Sequence, residues 1–219
     1  MKPPARPSLL ILLAFPLAVA TAPALADVIP YHVSIDVTGL TNLEMEFALY
    51  DNSGVIGDSW ALLDNVTLGG LSVDFEGGTL GGFDNSLNPA SVSTVAGNLN
   101  GSGGHVMRID EDLAFTPTFT WRDFAGSSAS TLEFDMAFSG STTAGFFGLD
   151  RFVVSILDPT TLDPLLPGLT PGFGDVLAID ANGLVHTADV GVGVIPAPGS
   201  TVLGTVGLAM IAWAKRRVA

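Results

Sequence analysis

Cysteine is absent from this chain. A disulfide framework and thiolate chemistry are thereby excluded, and a domain folding in an oxidising compartment must rely on its core alone. Basic side chains are scarce where a nucleic acid would need them. All 22 Asp and Glu lie between Asp27 and Asp189, and of the eight Lys and Arg only Arg108, Arg122 and Arg151 fall in that stretch. With no basic stripe to displace counterions, phosphate is repelled, and a nucleic-acid partner is excluded. Such an acidic body suits solubility in a salty exterior or attraction for divalent cations. A sustained 3.6-residue apolar period is also missing outside the two ends, so the centre does not read as helical.

Several chemical motifs are missing as well. No Gly-x-Ser-x-Gly elbow accompanies the three histidines, His32, His105 and His186, and they read as polar surface residues. The Gly-rich stretch from Asn98 to Gly104 lacks the Lys and the following helix of a phosphate cradle, and reads as a flexible turn. No twelve-residue EF-hand loop and no nonapeptide calcium repeat occurs.

The two ends carry what the centre lacks. At the start, Lys2 and Arg6 precede an apolar run from Leu9 to Ala20, and Ala24-Leu25-Ala26 sets small residues before Asp27. This is the pattern of a secretory signal peptide over residues 1–26, cleaved after Ala26 with Ala24 at the −3 position, which makes signal peptidase a partner. The far end, residues 195–219, opens with Pro196-Ala197-Pro198-Gly199, continues through the apolar run Thr201 to Ala214, and closes on Lys215-Arg216-Arg217. Fourteen residues rise about 21 Å as a helix, short of a ~30 Å hydrocarbon core. The basic tip would stay on the cytoplasmic side. Chemistry alone suggests a short transmembrane helix acting as a transient stop in the inner membrane.

This tripartite end resembles the PEP-CTERM sorting signal of Gram-negative bacteria, with Ala197 where the usual motif has Glu. The resemblance implies recognition and removal of the tail by an exosortase. It also implies delivery to the cell surface or exterior, often alongside extracellular polysaccharide or biofilm matrix.

Between the ends, residues 27–194 alternate with a period of two. Tyr31, Val33, Ile35 and Val37 share one face; so do Leu43, Met45, Phe47 and Leu49; Leu71, Val73 and Phe75; Phe115, Phe119 and Trp121; and Leu132, Phe134, Met136 and Phe138. Half-buried strands follow. Asp51-Asn52-Ser53-Gly54, Gly77-Gly78, Gly81-Gly82 and Asp180-Ala181-Asn182-Gly183 supply turns, the last within a hairpin VLAIDANGLVHT. The Pro-rich Asp158–Asp175 reads as a long loop or edge excursion. The pattern predicts an all-β domain, an antiparallel two-sheet sandwich of jelly-roll-like form, with a closed barrel as the alternative. The segment is also similar to a small uncharacterised family of PEP-CTERM proteins, through Val33-Ser34-Ile35-Asp36-Val37-Thr38-Gly39-Leu40, Gly78-Thr79-Leu80-Gly81 and the strand from Leu132 to Gly140. That similarity implies no activity.

Three candidate sites remain. Glu44 and Glu46 share a strand face about 6.5–7 Å apart, within reach of a glycosidase pair, although alternating Glu also keeps a sheet face soluble. Asp110-Glu111-Asp112 places hard oxygen ligands together as a candidate structural Ca²⁺ site, with Asp51-Asn52 and Asp180 with Asn182 on other loops. Trp60 is the candidate for stacking on a sugar, while Trp121, alternating with Phe119, is expected in the core. These readings favour a non-enzymatic exported surface or matrix protein with no cofactor. A lectin-like carbohydrate-binding module and a glycoside hydrolase are the rivals.

Overall fold

A computed structural model describes residues 29–195, apart from 56, 100–103, 113–115, 127–129, 146, 171–173 and 189. The signal peptide with Ala24 and Ala26, the 201–214 helix, and the sorting residues Pro196, Ala197, Pro198, Gly199, Lys215, Arg216 and Arg217 lie outside the described residues. Among the described residues there are twelve strands and no helix long and apolar enough to cross a membrane.

The strands are β1 (Pro30–Asp36), β2 (Asn42–Tyr50), β3 (Trp60–Leu68), β4 (Leu71–Val73), β5 (Val92–Ala96), β6 (His105–Asp110), β7 (Thr118–Ala125), β8 (Thr131–Ser139), β9 (Arg151–Leu157), β10 (Asp175–Asp180), β11 (Val185–Thr187) and β12 (Val190–Val194). They form two antiparallel sheets. The seven-stranded sheet runs β12-β1-β8-β3-β6-β5, with β4 paired to β3, and the five-stranded sheet runs β11-β10-β9-β2-β7. The strands belong to two separate sheets, as a sandwich requires and the closed barrel does not.

Successive side chains on a strand point to opposite faces, so each inner face collects the apolar half of the alternating strands. Tyr31, Val33 and Ile35 of β1 and Leu132, Phe134, Met136 and Phe138 of β8 meet Leu43, Met45, Phe47 and Leu49 of β2 in one buried core. Phe47 stands at its centre. Its ring lies 5.4 Å from Phe134 of the opposite sheet, 5.7 Å from Phe152 and 5.7 Å from Phe83. Edge-to-face and offset rings of this kind add to the burial of their area.

Strands β3 and β9 are buried on both faces and read as near-continuous apolar runs. Their second faces are covered by smaller clusters. On the outside of the seven-stranded sheet, Leu62, Val106 and Ala137 are buried with Leu99, beside Trp60 and Val95. On the outside of the five-stranded sheet, Ala48, Val153 and Ala178 lie beneath Tyr50, Phe119 and Leu169.

Strand β7 reverses the expected facing. Thr118 and Thr120 are fully buried, whereas Phe119 and Trp121 are only half-buried and lie on the outer face. The register decides this. Thr120 pairs with Phe47, Phe119 with Ala48, and Phe124 with Leu43, and cross-strand partners share a face. With Phe47 and Leu43 committed to the core, Phe124 goes inward and carries Arg122, Thr120 and Thr118 with it. Arg122 is tolerated there because its guanidinium lies 4.9 Å from the Phe124 ring and 6.0 Å from that of Phe83, and donates to the Gly81 carbonyl. The free edge of β7 is covered by coil: the Asp84 N–H donates to the Trp121 carbonyl at 2.7 Å, and the Phe119 N–H donates to Asn88 Oδ1 at 2.9 Å.

The expected hairpin near the end is present as β10 and β11. Asp180 Oδ1 accepts the N–H groups of Asn182 and Leu184, and Gly183 takes a φ of 74° that other residues resist.

Candidate functional site

Strand pairing sets the outer face of the five-stranded sheet into four rows. The first joins Asp123, Glu44 and Leu157, and the second joins Trp121, Glu46, Ser155 and Asp175. The third runs across all five strands as Phe119, Ala48, Val153, Ala178 and His186. The fourth joins Tyr50, Arg151 and Asp180. From Glu44 to Tyr50 the face extends about 20 Å along the strands. Small residues form its floor, aromatic rings stand at the β7 edge, and carboxylates gather at one end.

The rings differ in their surroundings. Tyr50 and Phe119 meet edge-on at 6.3 Å, and the Arg151 guanidinium lies 5.2 Å from the Tyr50 ring. Trp121 has no ring or cation partner among the described residues, and Glu46 is its cross-strand neighbour. On the β9–β11 side of this face lies a cleft of about 450 Å³, lined by Asn52, Phe147, Arg151, Ala178, Asp180 and His186 among others. Phe147 is 64% exposed there.

Glu44 is 7% exposed, not on a solvated face, and its closest acidic contact is Asp123 rather than Glu46. Burial, then the Asp123 and Glu46 carboxylates, push Glu44 up to about 7, and its carboxyl hydrogen-bonds that of Asp123. Burial also raises Glu46. Glu44 thus holds its proton well above the usual carboxylate range.

The outer face of the seven-stranded sheet is organised differently. Trp60 is half-buried against its apolar cluster, and the Arg108 guanidinium lies 5.2 Å from its ring. Arg108 is itself pinned to Asp110 by hydrogen bonds of 2.6–2.9 Å. Nearby, His32 Nδ1 lies 2.8 Å from Asp135 Oδ1 and Asn65 Nδ2 donates to Asp135 Oδ2 at 2.9 Å. They line a shallow cleft of about 500 Å³ with Thr67 and Glu133. Asp64 is cross-strand from Asp135 and almost fully buried. Burial pushes it up to about 6 against the N–H donors of Leu99 and Asn65, with Asp135 and Glu76 adding to the rise.

The sequence trio Asp110, Glu111 and Asp112 does not converge. Asp110 goes to Arg108, Asp112 Oδ2 accepts from Asn88 Nδ2 at 3.1 Å, and Glu111 Oε2 accepts the N–H groups of Gly57 and Ser59. Consecutive strand-end residues point to alternating sides, which separates them. Among the described residues no group of three or more His, Asp or Glu could hold a metal ion. His105 begins β6, and His186 lines the cleft of the five-stranded sheet.

Sequence reasoning therefore singled out Glu44 and Glu46 but placed Trp121 in the core, favoured Trp60 instead, and missed Asp123, Tyr50 and Arg151 as neighbours. Only the hairpin-scale turns could have indicated which strands pair, and β2, β7 and β9 are far apart in the chain. Comparison with family models, curated proteins and solved structures returns no match for this chain.

Proposed function

We propose that this chain is an exported, non-enzymatic surface protein. On this reading a jelly-roll-like sandwich, released by an exosortase, holds extracellular polysaccharide on the outer face of its five-stranded sheet. The observation that carries the polysaccharide reading is the facing of β7: threonines inside, Phe119 and Trp121 outside. A large half-exposed ring is informative where a buried position was available to it. An uncapped indole can lie against the C–H face of a sugar ring while Glu46, Asp123 and Ser155 accept or donate to its hydroxyls. Trp60 is less suited, because Arg108 already covers it.

The test is a glycan array with three proteins. The wild-type chain binds, Trp121→Ala loses binding, and Trp60→Ala keeps it. Binding that survives Trp121→Ala, or no binding to any glycan, refutes the reading.

The export reading rests on the two terminal patterns, and mass spectrometry of the protein released by an exosortase-bearing host tests it. The expected mature chain starts at Asp27 and ends at about Pro198. An exported chain still carrying Arg216 and Arg217 contradicts it.

The hydrolase remains the second reading, favoured by one feature: Glu44 keeps its proton to about 7 beside Asp123, as a general acid would. Release of reducing ends from a bound glycan, abolished by Glu44→Gln, would establish it in place of simple binding.

A further inference from the structure

Strand pairing defines one end of the sandwich. In the seven-stranded sheet it is where Tyr31 meets Val194, Pro30 meets Ala137, and Trp60 meets Ser139 and Asp110. In the five-stranded sheet it is where Arg151 meets Tyr50 and Asp180. Asp150 ties the two together. Its carboxylate accepts from Asn52, Ser53, Ser59 and Ser141, and its carbonyl accepts the Ala181 N–H at 2.9 Å.

Eight large apolar side chains are exposed among the described residues, by 46% to 66%, and six of them stand at this end. Ile29 precedes β1 and Val194 closes β12. Val55 lies on the loop from β2 to β3, Phe147 on the loop from β8 to β9, and Leu184 in the turn from β10 to β11. Leu87 lies on the loop before β5, which Ser91 joins to Asp110. The other two, Leu71 and Leu162, are at the opposite end, beyond β3 and β9. Acids at this end are turned inward: Asp51, Glu111 and Asp150 are buried, and Asp180 accepts from its own turn. The nearest cations, Arg108 and Arg151, lie over the Trp60 and Tyr50 rings. Apolar groups collected on one exposed end mark a contact surface.

The chain itself says what lies opposite. Both its ends leave the sandwich here, and the Ile195 N–H donates to the Pro30 carbonyl at 2.9 Å. Five residues, 196–200, separate β12 and Ile195 from the apolar run that begins at Thr201, and they span at most about 20 Å. We propose that this end of the sandwich rests on the surface of a zwitterionic phospholipid bilayer while the tail is in place, with Val55, Leu87 and Leu184 reaching the boundary of headgroups and acyl chains. The proposal rests on the export reading, because it takes Thr201–Ala214 as a membrane stop. Apolar side chains gain by entering that boundary, and a short tether holds them beside it at high effective concentration. Asp58 and Asp112 stay half-exposed at this end with no free cation to offset them, so an anionic surface is disfavoured. The sandwich then stands end-on, and the outer faces of both sheets remain accessible.

Because the chain has no cysteine, one introduced residue carries the only nitroxide label. Val55→Cys, Leu87→Cys and Leu184→Cys are compared with Leu71→Cys and Leu162→Cys in the full chain, reconstituted in phosphatidylcholine vesicles. Collisions are measured with dissolved oxygen, which concentrates in lipid, and with a water-soluble nickel chelate. The first three labels should favour oxygen and be shielded from nickel, and the last two should show the reverse. Adding Leu87→Asp and Leu184→Asp together should return the label at position 55 to water, with the thermal midpoint little changed because both side chains are exposed. If all five labels meet nickel equally in a chain that floats with the vesicles, the docking is overturned and the membrane stop stands. A chain that does not float with them overturns the membrane stop, and the docking with it. Spin–spin broadening at positions 55, 87 and 184 that persists in detergent assigns this end to a second copy of the chain and overturns the lipid contact.

Discussion

The two outer faces of this sandwich are built on the same plan and finished differently. Each covers a central strand buried on both sides, β3 in one sheet and β9 in the other. On the seven-stranded side the chain closes the part of the face around β3 and β6 itself: Leu99 comes over Leu62, Val106 and Ala137, and Arg108, clamped by Asp110, lies over Trp60, while the shallow cleft beside His32 and Asp135 lies further along. On the five-stranded side Phe119 and Trp121 stand half-exposed over small residues, with Glu44, Glu46 and Asp123 at one end and a cleft on the β9–β11 side. A face that the fold covers contributes stability, and a face left open with rings and carboxylates is available to something else. The distinction follows from one parity choice in β7, imposed by the pairing of Phe47 with Thr120.

Substitution can break the comparison most forcefully on the closed face. Leu62→Ala should cost about 2–5 kcal/mol in urea unfolding, since its site is packed on every side. The same variant should leave glycan binding per folded molecule unchanged. A cost below about 1 kcal/mol would mean that the face is not sealed.

On the open face the balance inverts. Trp121→Ala should lower glycan affinity at least about tenfold, or roughly 1.4 kcal/mol. It should move stability less than Leu62→Ala does, because the ring is only partly buried. Equal losses of stability from both variants would show the two faces to be equivalent.

The smallest effect is on pH dependence, and it sharpens the comparison because each face holds an acid pushed well above its ordinary value, with Glu46 also raised beside Glu44. Glu44 rises from 4.5 to about 7, facing Asp123 across β7 and Glu46 on its own strand. Asp64 rises from 3.8 to about 6, facing Asp135, which His32 touches, and Glu76. In both cases the folded chain keeps a proton that the unfolded chain releases. The stability they contribute is therefore complete below the ordinary values and is lost as pH rises through about 6 and then about 7. Thermal midpoints should fall between pH 5 and pH 8, and Glu44→Gln should flatten the upper part of that fall. A midpoint that rises over this range contradicts the burial of both acids.

How much of this was legible in the sequence depends on how many faces of a strand are buried. Strands β1, β2 and β8 each bury an apolar row and turn many of their polar residues outward, so a period of two reveals them and their inner residues. Strands β3 and β9 are covered twice, and Ala61-Leu62-Leu63 and Phe152-Val153-Val154 carry no alternation to read. Strand β7 does alternate, but threonine and aromatic rows are both acceptable to a strand, and only its partner decides which goes inward. The candidate site was legible residue by residue and not as a constellation. Glu44 meets Asp123 through a pairing between segments widely separated in the chain. Neighbouring residues that looked like a set, Asp110 to Asp112, were separated by the strand pleat itself.

The open face is tested most directly by mapping amide chemical shifts while the extracellular polysaccharide of the host is titrated into the isotopically labelled protein. The account predicts shifts clustered on β2, β7 and β9, around Glu46, Phe119, Trp121 and Arg151. Shifts centred instead on Trp60 and Arg108, or none anywhere, would contradict it.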